Sequence, residues 1–572
     1  MTITNENAKS FLELINATYD ERKFELSSYD AVIGDGDHGF SLARGCRGGI
    51  KAVREYNGQI SANAVFSLFG RELTKTIGGA IGPLFGILFT QLGTAMKDCD
   101  KLTVKELAEG ISEAGRMITE LGGAHVGDKT MVDAIVPTVE SLKISAAENK
   151  DIEQAITDAA YACEEGVLST IPLVAKRGRS KYLQEKAIGH QDAGASSFMY
   201  YIKCLRSFIC EKPLIWDTDR VKDNNPQLKE SSEKSNASFR SKKFYNSTET
   251  IVEDTVNGFV SVYSDRVRKS ENDNVIVRKN LNKGKVGVII GNGSGHEPAC
   301  IGFVGKNALT ANAYGNIFAA AGPGTILSAI KEADTGAGVV LLISNHAGDI
   351  LNAKVGQSWA VEDGHKVISV PLYDDVLSAP KETPAERRGT AGTFFSYRMV
   401  GAYAELGHTL EEVAAKAAEI RDNTRTVTVA STPGTSPISG EPTFEIADDQ
   451  YDLGIGVHGE ASVTGMKVCP ARELAARMCD ILLEDGEYKA GEELIVLVNG
   501  CGATTYSELM IFYGEVEKYL KSRGISTFKP AVGTYITTQE MGGISLAFTR
   551  ATEEQKILWT SQTDAPAFPH WV

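Results

Sequence analysis

The chain has 572 residues, 42% of them hydrophobic and 23% charged, which suits a globular protein with room for two to four domains. A formal charge of −15 and a pI near 5.3 argue against a nucleic acid as partner, because gripping phosphate backbones needs clustered Lys and Arg. The nine cysteines are scattered without a C-x-x-C pair, the opening Met1-Thr-Ile-Thr-Asn-Glu-Asn7 has no signal-peptide pattern, and no apolar run is long enough for a bilayer, so a soluble, cytoplasmic protein with reduced thiols is expected.

Helices are expected through the first 210 or so residues. Val104, Leu107, Ile111, Ala114, Ile118 and Leu121 recur at helical spacing behind a Thr103-Val-Lys-Glu106 capping box, and Ile152, Ala155, Ile156, Ala159 and Cys163 repeat the pattern. Between such helices fall polar, glycine-rich segments, which places them on loops at one end of a helical bundle. In Asp30-Ala-Val-Ile-Gly-Asp35-Gly-Asp37-His38-Gly39, a tight turn can converge three carboxylates on Mg²⁺. An EF-hand is excluded, since counting from Asp35 the sixth position is Phe40 and the twelfth Cys46. Gly78-Gly79-Ala80-Ile-Gly-Pro-Leu-Phe-Gly86, Gly127-Asp-Lys-Thr130-Met131-Val-Asp133 and Gly189-His-Gln-Asp192-Ala-Gly194 offer backbone N–H groups at helix starts, where phosphates bind, and Arg179 adds a fixed cation. None is a Walker A motif, because Asp128 follows Gly127 where that motif needs lysine.

From Pro213 to Ser247 the composition turns to Asn, Lys, Ser and Glu, as in a linker. Beyond it, strand-like runs at 285–290, 338–343, 366–370 and 493–498 alternate with helical stretches such as the one opening at Thr409, giving an α/β region over 248–572 with a division into two subdomains expected near 385–430. Two histidines stand among glycines there: His296 in Gly291-Asn-Gly293-Ser294-Gly295-His296-Glu-Pro298 and His458 in Gly454-Ile-Gly-Val-His458-Gly-Glu460. Such glycines let backbone crowd a small ligand while the imidazole addresses it, as suits a carbonyl or hydroxyl substrate. A dinucleotide fingerprint would need glycine at 296. Asn345-His-Ala-Gly-Asp349 also follows a strand and supplies a candidate base at its carboxyl end.

Together these motifs closely resemble the dihydroxyacetone kinase family over nearly the whole chain, with the order of its two domains reversed relative to the common fused kinases. The resemblance implies a multidomain protein: an all-α, ATP- and Mg²⁺-binding barrel or bundle over 1–212, a linker over 213–247, and an α/β ketose-binding region. It implies Asp30, Asp35 and Asp37 as metal ligands, and His38, Gly39, Ser41, Gly79, Ala80, Thr130, Met131, Arg179, Asp192 and Gly194 around the nucleotide. In the ketose region it implies Gly293, Ser294, Gly295 and His296 around the substrate, Asp349 on the reacting hydroxyl, and His458 bonded covalently to the carbonyl carbon as a hemiaminal, which rejects polyols lacking a carbonyl.

The chain departs from the family pattern where Lys-Asn-Tyr-Thr-Gly-Asp is common and Ser344-Asn-His-Ala-Gly-Asp349 stands instead. Ser344 for a long cation makes room for a four-carbon ketose such as erythrulose, slightly ahead of dihydroxyacetone. Ile81, Ser41 and Ala193 replace the usual serine, asparagine and proline, while the three aspartates are kept. The expected activity is an ATP-dependent ketose kinase, assembled as a homodimer. A phosphocarrier-dependent transferase, a non-catalytic ketose-binding co-regulator and a nucleotide-cyclising lyase are the alternatives.

Overall fold

The computed structural model describes residues 2–34, 36–58, 61–214, 243–271, 273–438, 440–460 and 464–569. Most of the expected linker, 215–242, lies outside them. The chain separates into two compact units, 1–240 and 241–572.

Among the described residues of the first unit run eight α-helices: α1 Ala8–Ile33, α2 His38–Glu55, α3 Ala62–Thr76, α4 Ile81–Ala95, α5 Val104–Gly122, α6 Val132–Ala147, α7 Ile152–Ser169 and α8 Ala193–Cys210. Each packs on the next and α8 returns to α1, closing a ring. Connections of only four residues after α1, α3 and α6 force neighbours to run antiparallel. Because direction alternates, the N-termini of α2, α4, α6 and α8 all gather at one end, together with the long connections 123–131 and 170–192. The ring is filled by fully buried Phe11, Phe66, Phe69, Phe85, Phe89 and Tyr201, with edge-on contacts such as Phe69 to Phe89 at 4.7 Å between centroids. The capping box at Thr103 and Glu106 forms, and the stripe from Val104 to Ile118 is buried as its spacing predicts.

The first sheet of the second unit contains β1 Val267–Lys269, β2 Val275–Arg278, β3 Gly287–Ser294, β4 Ala311–Ile317, β5 Val339–Ser344 and β6 Val367–Leu372, in the order β1-β2-β4-β3-β5-β6. Strands β4, β3, β5 and β6 are mutually parallel, and β1 and β2 add an antiparallel edge. The second sheet is built on β7 Arg425–Thr432, β8 Gln450–Leu453, β9 Thr464–Lys467, β10 Glu493–Gly500, β11 Ser526–Thr527, β12 Ala531–Gly533 and β13 Gly542–Arg550. Its long central strands β10, β13 and β7 are antiparallel. Val288 and Ile290 of β3, Ile495 and Leu497 of β10 and Ala547 of β13 share one core with Phe394, Phe395 and Val400 of a helix, α12, Thr393–Glu405. That helix is buried on nearly every face, which its apolar composition permits. The remaining helices flank the sheets: α9 Ile251–Val262, α10 Pro323–Ala333, α11 Ala347–Glu362, α13 Leu410–Asp422, α14 Ala471–Gly486, α15 Tyr506–Ser522 and α16 Glu553–Thr560. No helix among the described residues is long and apolar enough to cross a membrane.

Three local expectations are corrected. Strand β3 continues past Ile290 to Ser294, because Asn292 and Ser294 still pair with β4 across a bulge, so Gly293 and Ser294 lie in the strand and not in a loop after it. Asp30 lies in the last turn of α1, with only 34–37 forming the connection. Asp349 lies in the first turn of α11, five residues past the end of β5.

Candidate active site

In the helical unit, the backbone N–H of Asp37 donates to Oδ2 of Asp30 at 3.2 Å, which folds the 34–37 turn over that carboxylate. A Cβ at Gly34 would fall 2.2 Å from Oδ1 of Asp30, so only glycine lets the turn approach this closely. Oδ2 of Asp37 accepts the Ser41 hydroxyl at 2.8 Å. These carboxylate oxygens are hard donors of the type that Mg²⁺ takes. Asp35 lies outside the described residues, as does the side chain of Arg179, whose backbone opens a 3₁₀ segment, Arg179–Ala187.

The expected nucleotide residues fall at the four helix N-termini. His38 is the first residue of α2, its Nε2 3.0 Å from the Ser197 hydroxyl of α8, and the Gly39 N–H donates to Ser27 Oγ at 3.0 Å. Gly79 has a left-handed φ of +68° and no atom within 4 Å of where a Cβ would sit, and Ala80 caps α4. Thr130 N–H donates to Asp133 Oδ2 at 2.8 Å, and Met131 precedes α6. Asp192 caps α8 by accepting the Ala195 N–H at 2.7 Å, and a Cβ on Gly194 would lie 3.6 Å from Met131. Burial raises the Asp192 carboxyl from 3.8 to about 6. Lys129, outside the expected set, ties this end together by donating to the Thr170 carbonyl at 2.7 Å and to that of His190 at 2.5 Å.

In the α/β unit, a cleft with about 430 Å³ of free space is lined by Gly293, His296, Ser344, Asp349 and His458, all expected, and by Asn292, Cys300, His346, Gly389, Thr390 and Tyr397, which were not. Ser294 and Gly295 adjoin it without lining it. The His296 and His458 rings lie 5.0 Å apart between centroids, although they are 162 positions apart in sequence. Two adjacent threonines hold that approach. The Thr537 carbonyl accepts from Nδ1 of His296 at 2.7 Å, and the Thr538 hydroxyl donates to the carbonyl of Val457 at 2.6 Å, next to His458. Burial pushes His296 below its usual value against the opposing pull of that hydrogen bond, so the ring is neutral and its Nε2 is an acceptor.

Glu460 is a functional residue that sequence reasoning quoted without a role. Its Oε2 accepts the backbone N–H of His458 at 2.8 Å, and its Oε1 lies 2.9 Å from the His458 Nδ1. Burial alone would raise its pKa, but the charge of His458, hydrogen bonds from His346 and His458, and the nearby Arg388 together hold it well below the carboxylate range. A Cβ at Gly456 would come 2.1 Å from Oε2, so the glycine makes room for this carboxylate. Arg388, ion-paired with Asp375 at 2.6 Å, anchors the same loop through the Gly454 carbonyl at 2.9 Å.

His346 is the second unanticipated residue. Its ring lies 4.9 Å from that of His458, its Nε2 is 3.0 Å from the Gly389 carbonyl, and its Nδ1 is 3.5 Å from Glu460 Oε1. The signal was present in the sequence as a histidine two residues past Ser344, yet only the turn from β5 into α11 aims it at Glu460. Burial pushes the thiol of Cys300 up to about 12, which favours its protonated form.

Comparison with known proteins bears on both halves. The Dak1 domain model matches residues 257–567 and the DAK2 domain model residues 32–207. The chain is 38% identical over 325 residues to the PTS-dependent dihydroxyacetone kinase 1, dihydroxyacetone-binding subunit DhaK, of Listeria innocua, covering 57% of this chain and 98% of the relative. It is 34% identical over 326 residues to the D-erythrulose kinase of Mycolicibacterium smegmatis, covering 57% of this chain and 56% of that enzyme. The crystal structure of the dihydroxyacetone kinase from C. freundii in complex with AMP-PNP and Mg²⁺ superposes with a TM-score of 0.53 at 29% identity, over 58% of this chain and 61% of that one. The chain thus spans little more than half of each of these two kinases. Carrying a DAK2 domain ahead of a Dak1 domain, the chain belongs to the dihydroxyacetone kinase family.

Proposed function

We propose that this protein is an ATP-dependent kinase that phosphorylates a terminal hydroxyl of a short-chain ketose held covalently on His458. The observation that carries the reading is the cleft in which His296 and His458 face each other at 5.0 Å with Asp349 on the wall. Nδ1 of His458 is engaged by Glu460, so the lone pair of Nε2 is the nucleophile. Its addition to a ketone carbon breaks the C=O π bond, and the oxygen, which receives that electron pair, takes up a proton from solvent. The ring gains positive charge in that step, and the Glu460 carboxylate 2.9 Å from Nδ1 stabilises it. Glycerol, with no carbonyl, cannot be held this way. Asp349 takes the proton of the terminal hydroxyl as it attacks phosphorus, and His296 orients the substrate through Nε2, its Nδ1–H being committed to Thr537.

The helical unit supplies the phosphoryl donor in this reading. Four helix N-termini at one end present N–H groups and positive dipole ends to a polyphosphate. Mg²⁺, when bound by Asp30 and Asp37 with Asp35, neutralises charge on the phosphates, and the remaining contribution of the chain is positioning. Ser344 lines the cleft with Tyr397 where the family commonly carries lysine, and this favours four-carbon erythrulose over dihydroxyacetone.

The test is ADP release from the purified chain with ATP and Mg²⁺ against D- and L-erythrulose, dihydroxyacetone, glyceraldehyde and glycerol. Turnover with a ketose and none with glycerol is expected; silence with every ketose overturns the kinase. The similarity to a PTS-dependent subunit favours a second reading, a phosphocarrier-dependent transferase, in which free ATP does not support turnover. Homodimerisation, part of the same proposal, is checked by light scattering.

A further inference from the structure

Two imidazoles converge on one buried carboxylate oxygen in the cleft. Nδ1 of His458 lies 2.9 Å and Nδ1 of His346 3.5 Å from Oε1 of Glu460. One histidine is enough to account for the orienting role of a carboxylate, and His458 fills it. The second ring is not explained that way. The Gly389 carbonyl takes the Nε2–H of His346 at 3.0 Å, so Nδ1 meets the anionic Oε1 either as the second N–H of an imidazolium, donating a hydrogen bond to Glu460, or as a lone pair once that proton has left. Two electron-rich atoms at this distance call for a cation between them, either a proton or a metal.

We propose that His346, His458 and Glu460 form a binding site for a divalent cation of the Zn²⁺ and Co²⁺ class, and that its occupancy and ketose anchoring exclude each other. One ligand atom from each of the three residues can be chosen so that all lie within 4.8 Å of one another. Bonds of about 2.0–2.1 Å to a common centre place tetrahedral ligand atoms about 3.4 Å apart, so the widest pair must close by up to about 1.4 Å through movement of side chains on two separate loops. The donor set is two imidazole nitrogens and a carboxylate oxygen, the borderline set that selects zinc over magnesium. The supporting shell is in place as well: a histidine ligand characteristically gives its other N–H to a carbonyl, as His346 does, and a ligating carboxylate is itself held, as Glu460 is by the His458 N–H. The Mg²⁺ expected at Asp30 and Asp37 is held by oxygen alone, so the two sites discriminate by donor type.

The exclusion follows from which nitrogen carries the proton. A metal on Nδ1 of His458 moves the ring proton to Nε2, and that nitrogen then has no lone pair for a carbonyl. This part rests on the proposed anchoring role of His458, while the cation site itself does not.

The experiment uses the full chain in excess Mg²⁺, which fills the oxygen sites, titrated with Co²⁺ and read by its visible absorption. Intense bands of a nitrogen-ligated, four- or five-coordinate ion are expected, abolished by Zn²⁺, and with at least tenfold weaker binding in His346→Gln. Glu460→Gln, of unchanged volume, serves as the second variant, with near-ultraviolet circular dichroism reporting the fold of each. Identical titrations of the starting protein and both variants, or no such band at millimolar Co²⁺, overturn the site. Dihydroxyacetone added first is expected to suppress the bands. If they depend on His346 yet survive saturating ketose, the cation site stands and the exclusion is overturned, while the presence or absence of the ketose adduct by intact-protein mass decides the anchoring role of His458 separately.

Discussion

Glu460 grips His458 twice, accepting its backbone N–H at 2.8 Å with one carboxylate oxygen and facing its Nδ1 at 2.9 Å with the other. Main chain and ring are therefore fixed by a single side chain only two residues away. Glu460→Gln keeps the volume and removes the charge that balances the ring when Nε2 becomes covalently engaged. The expected result is a fall of roughly 10²-fold in kcat/KM for the ketose, with weaker accumulation of the covalent adduct by intact-protein mass spectrometry. Full activity in this variant would falsify the role given to the carboxylate.

Asp37→Asn separates the two half-reactions. Asp37 belongs to the metal-binding turn, and it also accepts the Ser41 hydroxyl at 2.8 Å, a bond that asparagine can keep. Turnover with ATP and Mg²⁺ should drop by about 10²-fold or more, since phosphoryl transfer depends on charge neutralisation. The ketose adduct on His458 should persist at the same mass and extent. A variant that loses the adduct as well contradicts the division of labour.

Ser344→Lys restores the long cation at the wall of the cleft. It should lower kcat/KM for erythrulose relative to dihydroxyacetone, by about tenfold if the two substrates differ in how they fill that corner. Parallel assays of both ketoses decide this; an unchanged ratio removes Ser344 as a determinant of chain length.

Asp192 makes folding of the helical unit pH-dependent. Its carboxyl is raised from 3.8 to about 6 by burial, so the folded state holds the proton more tightly than the unfolded state. The stability this contributes is fully present below about pH 4 and is lost as pH rises through about 6, on the order of 2–3 kcal/mol in all. Asp192→Asn keeps the cap on α8 and removes the titration. Urea denaturation at pH 4.5 and pH 7, read as the difference between the starting protein and the variant, should show the starting protein losing relative stability at pH 7. A pH-independent difference would refute the assignment.

What the sequence by itself determined was local. The stripe from Val104 to Ile118, its capping box at Thr103, and the apolar runs that became β5, β6 and β10 are set by neighbours three, four or two residues apart, which periodicity reports directly. The glycines around His296 and His458 marked both loops, because close backbone approach leaves a compositional trace. Tertiary structure decided which groups meet. Nothing in Thr537-Thr538 announces that one residue holds His296 and the next the loop of His458, because those contacts run through a backbone carbonyl and a common hydroxyl. Nor does the spacing between His346 and Glu460, 114 positions apart, announce that they face each other at 3.5 Å. Such encounters arise where the ends of two sheets are packed over one core, and packing across sheets has no period along the chain.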